Sequence, residues 1–368
     1  MMNQGATADR GNADFTTADL DYELPEGLIA QHPLPERDAS RLLVVDRSSG
    51  HLHDNRISEL PDLLRPGDLL VLNDTKVLPA KFTAERRTGG KIGGLFVAEE
   101  KPGTWQVMLE GSRRLRVGES LTVTSGEQPG SVTLRLLEGC GAGFWRVEVD
   151  AQEAAGQILD RIGVTPLPPY IHRNGTDPAI DADDRSRYQT VYAQRPGAIA
   201  APTAGLHLTE SLLDEIRARG IETTFVTLHV GVGTFRPIDV ERLSQHVMHA
   251  EWYELQCETA EAVRRCRQRG GRVVAVGTTS VRVLESAAAE PTDARMLRTS
   301  CGMTDVFIYP PYQFHVVDAL LTNFHLPRST LLALVMALAG AETIRRAYRH
   351  AISHGYRFYS YGDAMLIQ

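Results

Sequence analysis

RVVAVGTTSVRVLES (272–286) reads as a buried strand that runs straight into a helix, the unit from which an α/β fold is built. Val273, Val274, Ala275 and Val276 are consecutive apolar residues rich in Val, the mark of a strand covered on both faces. Thr278, Thr279 and Ser280 follow at the junction. Their side-chain oxygens suit the free N–H groups of a first helical turn, and donors left over favour an anion together with the helix dipole. Arg282 adds a cationic fork in the same turn. A capped helix whose Arg282 faces water is the plainer reading, so the junction by itself assigns no site.

Strands and helices alternate around this unit. IAAPTAG leads to a helix over 210–219, with Thr209 as its cap and Gly220 as its stop. TTFVTLHVG reads as a strand and 258–269 as a helix that a GG pair ends. Helices are expected over 331–339, opened by Ser329 and Thr330, and over 342–353, with RFYSY (357–361) as the final strand. Upstream, RLLVVD is a strand, 151–163 a helix, and 167–187 a polar loop or lid. From Pro66 the texture differs. PGDLLVLND, LPAKFTAERR, KIGGLFVAEE, TWQVMLEG, ESLTVTS, SVTLRLLE and FWRVEVD are short strand-like runs at the spacing of a barrel or sandwich. The expected fold is therefore α/β: a main α/β domain over 19–65 and 151–368, a small β-barrel-like domain inserted at 66–150, and a disordered polar tail over 1–18.

Composition narrows the function. A net charge of −7 argues against a protein that coats nucleic acid nonspecifically, while leaving room for a local basic face. Cys140, Cys257, Cys266 and Cys301 form no CxxC pair, which fits reduced thiols better than a disulfide scaffold or a zinc site. The apolar stretch 331–339 is far below the roughly 20 residues a membrane span needs. With no apolar signal region at the start, the expected location is cytoplasmic.

Several loops carry chemistry-bearing residues. APTAGLHLT (201–209) holds Thr203, Gly205 as a left-handed hinge, and His207 as an acid or base; a tight turn with a hydrogen-bonded histidine explains it equally. In LHVGVGTFRP (228–237), Gly231 and Gly233 let a ligand approach the backbone, with His229, Thr234 and Arg236 beside them. A third glycine is missing for a dinucleotide fingerprint, and a bulged strand end is the simpler account. His246, His249 and Glu251 suggest metal ligands, but their aromatic and apolar interleaving is strand-like. LLTNFHLPRST (320–330) places Asn323, His325 and Arg328 before a helix start, a polar rim suited to a nucleoside or carboxylate. Asp363 in SYGDAM suits a ribose hydroxyl, an ammonium group or an Asx turn. Arg41, Lys76, Arg113, Arg114 and Arg116 are candidate phosphate contacts, and Tyr170 and Tyr188 candidate stacking platforms for a splayed base.

With HPLPERDASRLL (32–43), NDTKVLPAK (73–81), TDVFIYPPYQF (304–314) and YRFYSYGDAMLI (356–367), these strings resemble the S-adenosylmethionine:tRNA ribosyltransferase-isomerase family of queuosine biosynthesis. The motifs stand in the expected order from about Leu20 onward; one departure is Leu208, where the family usually has Phe. The resemblance implies transfer and isomerisation of the ribosyl part of S-adenosylmethionine to 7-aminomethyl-7-deazaguanine at the wobble position of tRNA. It implies S-adenosylmethionine consumed as a substrate, no metal or redox cofactor, and a tRNA anticodon arm as partner. His207 and His229 are the candidate proton-transfer residues. Thr278, Thr279, Ser280 and Arg282 are candidates for the donor's polar ends. Two other classes stay open. A methyltransferase using the same donor lacks support because no strand–GxGxxG–helix unit appears. A noncatalytic RNA-binding module needs fewer Thr, His and Asp-bearing loops than this chain has.

Overall fold

The computed structural model describes residues 15–111, 114–124, 131–173, 178–235, 237–288 and 297–368. Among these, one mixed sheet of nine strands forms the frame. Across it lie Ser300–Thr304, Glu251–Leu255, Glu222–Leu228, Leu69–Asn73, Val273–Val276, Ala319–Asn323, Ala364–Ile367, Arg41–Val45 and Leu52–Arg56. The four neighbours from Glu222–Leu228 to Ala319–Asn323 are parallel, so their carboxyl ends share one edge. Ala364–Ile367 is antiparallel to Ala319–Asn323 and parallel to Arg41–Val45.

Alternate residues of these strands enter two cores. Leu69, Val71, Val273 and Ala275 meet Val263, Leu284, Leu332 and Ile344 from the helices Cys257–Gln268, Thr278–Ala287, Thr330–Ala339 and Ala341–Ser353. Leu70, Leu72, Val274 and Val276 face the other way, onto Leu212 and Ile216 of the helix Glu210–Ala218. Two-sided burial explains why these strands are apolar throughout instead of alternating. Each fully buried Leu or Val contributes about 1.5–3 kcal/mol.

Six strands, Lys81–Arg86, Lys91–Lys101, Thr104–Leu109, Ser120–Thr124, Ser131–Gly141 and Phe144–Val149, close into a barrel. Here the period is two. Phe82, Ala84, Trp105, Val107, Leu121, Val123, Val132 and Leu134 fill the interior. The helix Ala155–Ile162 adds Ile158 and Leu159 to the same core. The architecture is thus α/β with a small barrel, as strand–helix alternation and strand spacing predict.

Some bounds differ from expectation. Leu69–Asn73 falls inside the expected insert 66–150, yet it pairs on both sides within the main sheet and all five of its residues are buried. Its uninterrupted apolar run marks two-sided burial, which turn spacing alone does not reveal. Thr75–Val77 pairs with Arg195–Ala198, and the barrel starts at Lys81. The expected disordered tail is too long at its inner end: Thr16 bridges to Arg242, Thr17–Leu20 forms a 3-10 turn and Leu20 is fully buried. Its first fourteen residues lie outside the described ones. The helix Pro178–Arg187 occupies part of the expected loop, supported by an Asp181–Arg185 pair one turn apart. RFYSY is not the last strand. Tyr359 has φ of 71°, which breaks the extended chain, and the strand forms later at Ala364–Ile367.

Candidate active site

A cleft opens at the shared carboxyl ends of the parallel strands, the place where open α/β sheets bind ligands. It is concave and partly open to solvent, as small-molecule sites are. Asn73, at one strand end, ties its neighbours together. Its Nδ2 donates to the Leu228 carbonyl at 3.1 Å and to Thr279 Oγ1 at 3.0 Å, while its Oδ1 accepts from Leu228 N at 3.1 Å. Gly277 turns the next strand into its helix at φ +84°, a conformation that favours glycine.

The helix Thr278–Ala287 starts in the cleft wall without a side-chain cap. The expected Thr and Ser caps are engaged elsewhere: Thr279 Oγ1 accepts from Asn73, and Ser280 Oγ donates back to the Val276 carbonyl at 2.8 Å. The N–H groups of the first turn are left for a ligand. By contrast, Ser329 caps the helix Thr330–Ala339, as the sequence predicts, accepting from Leu332 N at 3.2 Å. Tyr170 and Tyr359 form another part of the wall with ring centroids 4.7 Å apart, and Tyr170 Oη bonds Ser360 Oγ at 2.7 Å.

Of the expected substrate residues, Thr203, Thr278, Thr279, Asn323 and His325 line this cleft. His325 is buried, its Nε2 lies 2.9 Å from Thr322 Oγ1, and burial lowers its pKa to about 3. His207 lies behind the wall, with Nε2 3.1 Å from Asn323 Nδ2. Burial lowers its pKa to about 4, against opposing pulls from Asp363 and the Arg37 backbone. His229 is half-buried, stacked on Trp252 at 5.0 Å, with Nδ1 2.8 Å from Thr75 Oγ1. Burial, then the Arg195 charge, lowers its pKa. It does not line the cleft, although Val230 beside it does.

The other candidates are placed differently. Gly205 is not left-handed; it is tight because a Cβ there would stand 2.0 Å from the Tyr192 hydroxyl. Gly231 N donates to Glu251 Oε1 at 2.7 Å, and a Cβ on Gly233 would meet the His249 ring at 2.6 Å. Arg282 faces a neighbouring cavity, not the cleft, and its guanidinium pairs with Glu251 and donates to the Thr304 and Val306 carbonyls. Asp363 is buried against Arg41 N at 2.9 Å and Arg357 N at 2.8 Å, so it clamps backbone and has no access to the cleft. Arg41 is spent on that carboxylate, on the His354 and Gly355 carbonyls and on the Tyr356 ring. Lys76, Arg114 and Arg116 are exposed. Arg113, Arg236 and the Thr234 side chain lie outside the described residues. Among the described residues no group of three His, Cys, Asp or Glu side chains stands where it could hold a metal ion, and Glu251 is turned to Arg282.

Tyr359, which lines the cleft, and Asn73, which holds the cleft-lining Thr279, are features that the sequence reading did not single out. The signal for Asn73 was present, since an amide directly after a two-face-buried strand marks a strand end that must be tied. Tyr359 gave none, because its partner Tyr170 is remote in sequence.

An α/β enzyme with a ligand cleft at its strand ends is the class that these features define. The model of the family described as "Queuosine biosynthesis protein" matches residues 17–367. The S-adenosylmethionine:tRNA ribosyltransferase-isomerase of Acidithiobacillus ferrooxidans is 52% identical over 351 residues, 95% of this chain and 97% of that protein. The protein of the same name from Citrifermentans bemidjiense is 50% identical, over 95% of this chain and 99% of its own length. The crystal structure of an S-adenosylmethionine tRNA ribosyltransferase from Thermotoga maritima is similar with a TM-score of 0.53, at 35% identity, over 95% of this chain and all of that one. The chain belongs to this family of tRNA ribosyltransferase-isomerases and is a transferase of queuosine biosynthesis. No helix among the described residues is long and apolar enough to cross a membrane.

Proposed function

We propose that this chain transfers and isomerises the ribosyl moiety of S-adenosylmethionine onto 7-aminomethyl-7-deazaguanine at the wobble position of tRNA. The products are epoxyqueuosine in tRNA, adenine and methionine. The observation that carries this reading is the uncapped start of the helix Thr278–Ala287 in the wall of the cleft at the strand ends. Its free N–H groups and dipole suit the donor's carboxylate, and the Tyr170 and Tyr359 rings suit its base. The donor is consumed as a substrate, and the reading calls for no resident cofactor.

The sulfonium acidifies the donor's 5′ carbon. A base takes that proton and adenine leaves as the sugar opens. Opening leaves a C4′=C5′ vinyl sulfonium and a C1′ aldehyde. The aminomethyl nitrogen adds at C4′ and gives up a proton, the C5′ carbanion so restored bonds to C1′ and closes the five-carbon ring, and the C1′ alkoxide displaces methionine from C5′ to form the epoxide. His229 is the proposed proton carrier, acting from beside the cleft-lining Val230: burial and then the Arg195 charge lower its pKa, which favours the neutral ring, and its Nδ1 lies 2.8 Å from Thr75 Oγ1. Thr278 and Thr279 receive the donor's carboxylate end. Exposed Lys76, Arg114 and Arg116, with Arg113, receive phosphates of the anticodon arm. A cytoplasmic place of action accords with a tRNA substrate.

Incubating the purified protein with S-adenosylmethionine and tRNA carrying the aminomethyl base tests the reading. Free adenine and methionine in equal amounts are expected. S-adenosylhomocysteine would make the chain a methyltransferase, and tRNA binding without donor consumption would leave it an RNA-binding protein.

A further inference from the structure

Asn323 ends the strand Ala319–Asn323 in the cleft wall and is 2% exposed. Its Nδ2 lies 3.1 Å from the Tyr359 carbonyl and 3.1 Å from His207 Nε2. A carbonyl only accepts, so the atom facing Tyr359 is the amide nitrogen and the orientation of the amide is determined. The second amide hydrogen then points at His207, whose Nε2 must accept it. The proton of the neutral His207 ring therefore sits on Nδ1. In this arrangement neither ring nitrogen is open to a substrate proton.

The consequence falls on the other end of the amide. Asn323 Oδ1 is buried and has no hydrogen-bond partner among the described residues. A buried acceptor left unmade costs about 1–3 kcal/mol, so the site is completed by a donor that arrives with a ligand. Thr203, Thr278 and Thr279 line the cleft with Asn323, and no Asp or Glu lines it among the described residues. Beside Asn323 a neutral N–H therefore suits the wall better than a cation that brings no carboxylate of its own. Phe324, Leu326, Tyr170 and Tyr359 make the adjoining wall apolar and aromatic, as a flat base requires.

We infer that His207 and the Tyr359 carbonyl lock the Asn323 amide so that Oδ1 accepts a hydrogen bond from the 6-amino group of the donor's adenine. This rests on the reading of the cleft as the S-adenosylmethionine site. Asn323 is then the residue that selects an amino over an oxo purine, and His207 is a positioning residue that acts through it. A site built to pair a donor rejects the analogue lacking it, because its own acceptor is left bare.

The test compares S-adenosylmethionine with S-inosylmethionine, which carries a carbonyl at the 6 position, by calorimetry on the full chain. The expected preference of the unaltered protein for the adenosyl donor is about 10- to 100-fold. His207→Phe keeps a ring but offers no acceptor, so the Tyr359 carbonyl alone holds the amide and the preference falls by about three- to tenfold. His207→Gln has a carbonyl that accepts from Asn323 and retains it. Asn323→Leu abolishes it. Independently of any donor, ¹⁵N spectra of the His207 ring should show the Nδ1–H tautomer at pH 7. Equal affinity for the two donors, an undiminished preference in a folded His207→Phe protein, or an Nε2–H tautomer would each overturn the inference. Failure of S-adenosylmethionine to bind at all would instead strike down the reading of the cleft, with the ring spectrum still judging the lock.

Discussion

The Arg282 guanidinium is paired with the Glu251 carboxylate where their side chains are only 6% and 5% exposed. The pair joins the helix that opens at the cleft to an outer strand of the sheet. Glu251 also accepts from Gly231 N, so the loop after Leu228 hangs on the same carboxylate. Arg282 consequently belongs to the frame of the site.

Arg282→Ala should therefore destabilise the fold, by about 3–5 kcal/mol, because it strands a buried carboxylate. Arg282→Met combined with Glu251→Leu should recover most of that loss, since it removes both charges and keeps volume. Urea midpoints at constant slope read both effects. An Arg282→Ala protein as stable as the parent would show that Glu251 finds its counter-charge elsewhere.

Thr279 offers a cleaner test of donor binding. It is half-buried at the uncapped helix start, and Thr279→Asp places a carboxylate where the donor's own is proposed to sit. The helix gains about 0.3–1 kcal/mol from an anion at its N-terminus. Donor affinity should nevertheless fall by at least about tenfold, as two carboxylates compete for one set of N–H groups. Unchanged affinity by calorimetry would move the donor's carboxylate away from this helix.

Stability should fall in acid through two histidines. Burial lowers the pKa of His207 to about 4 and of His325 to about 3, from 6.5. Between those values the unfolded chain binds more protons than the folded one, so stability rises with pH. The contribution is fully present above about pH 6.5 and drains away as pH falls toward 4 and then 3, at about 1.4 kcal/mol for each pH step and each ring. Thermal unfolding of His207→Gln from pH 7 to 4 should show a shallower decline than the parent. Parallel curves would mean that His207 is already protonated in the folded protein.

Replacing Arg113, Arg114 and Arg116 together with Ala should weaken tRNA binding without changing donor affinity. Each lost phosphate contact should reduce the slope of log affinity against log salt by about one. Filter binding at several salt concentrations measures it. A parent-like slope would place the RNA face on the main sheet's side, near Lys76.

Much of this arrangement is legible in the sequence because it follows from local pattern. Val273–Val276 is apolar without interruption because both faces are covered, and the barrel strands alternate because one face is. Thr278 and Thr279 open the helix after one such strand and Asn323 ends another, and all three line the cleft. What pattern does not carry is the partner of a polar side chain. Asp363 and Arg282 have the composition of substrate ligands, yet Asp363 holds Arg41 across 322 residues and Arg282 holds Glu251 across 31. Spacing along the chain is silent about such pairs, since they are made by the fold. His207 is a third case, because its capacity to act as a base depends on its Asn323 partner, 116 residues away.

The pairing of Leu42 with Ala364 sets a timetable for the growing polypeptide. The hairpin of Arg41–Val45 and Leu52–Arg56 leaves the ribosome early, with one edge bare. Its missing neighbour is translated some 320 residues later, which takes roughly 15–65 s at ordinary elongation speeds. Throughout that interval Leu42, Leu43, Val44 and Val45 present an unpaired apolar edge, the kind of surface that chaperones shield. Nascent chains stalled short of Ala364 should be cut by protease within this hairpin, and chains extended past Ile367 should resist. The enzyme's first strand is thus among the last to be secured, and a prematurely terminated copy cannot pass for a finished one.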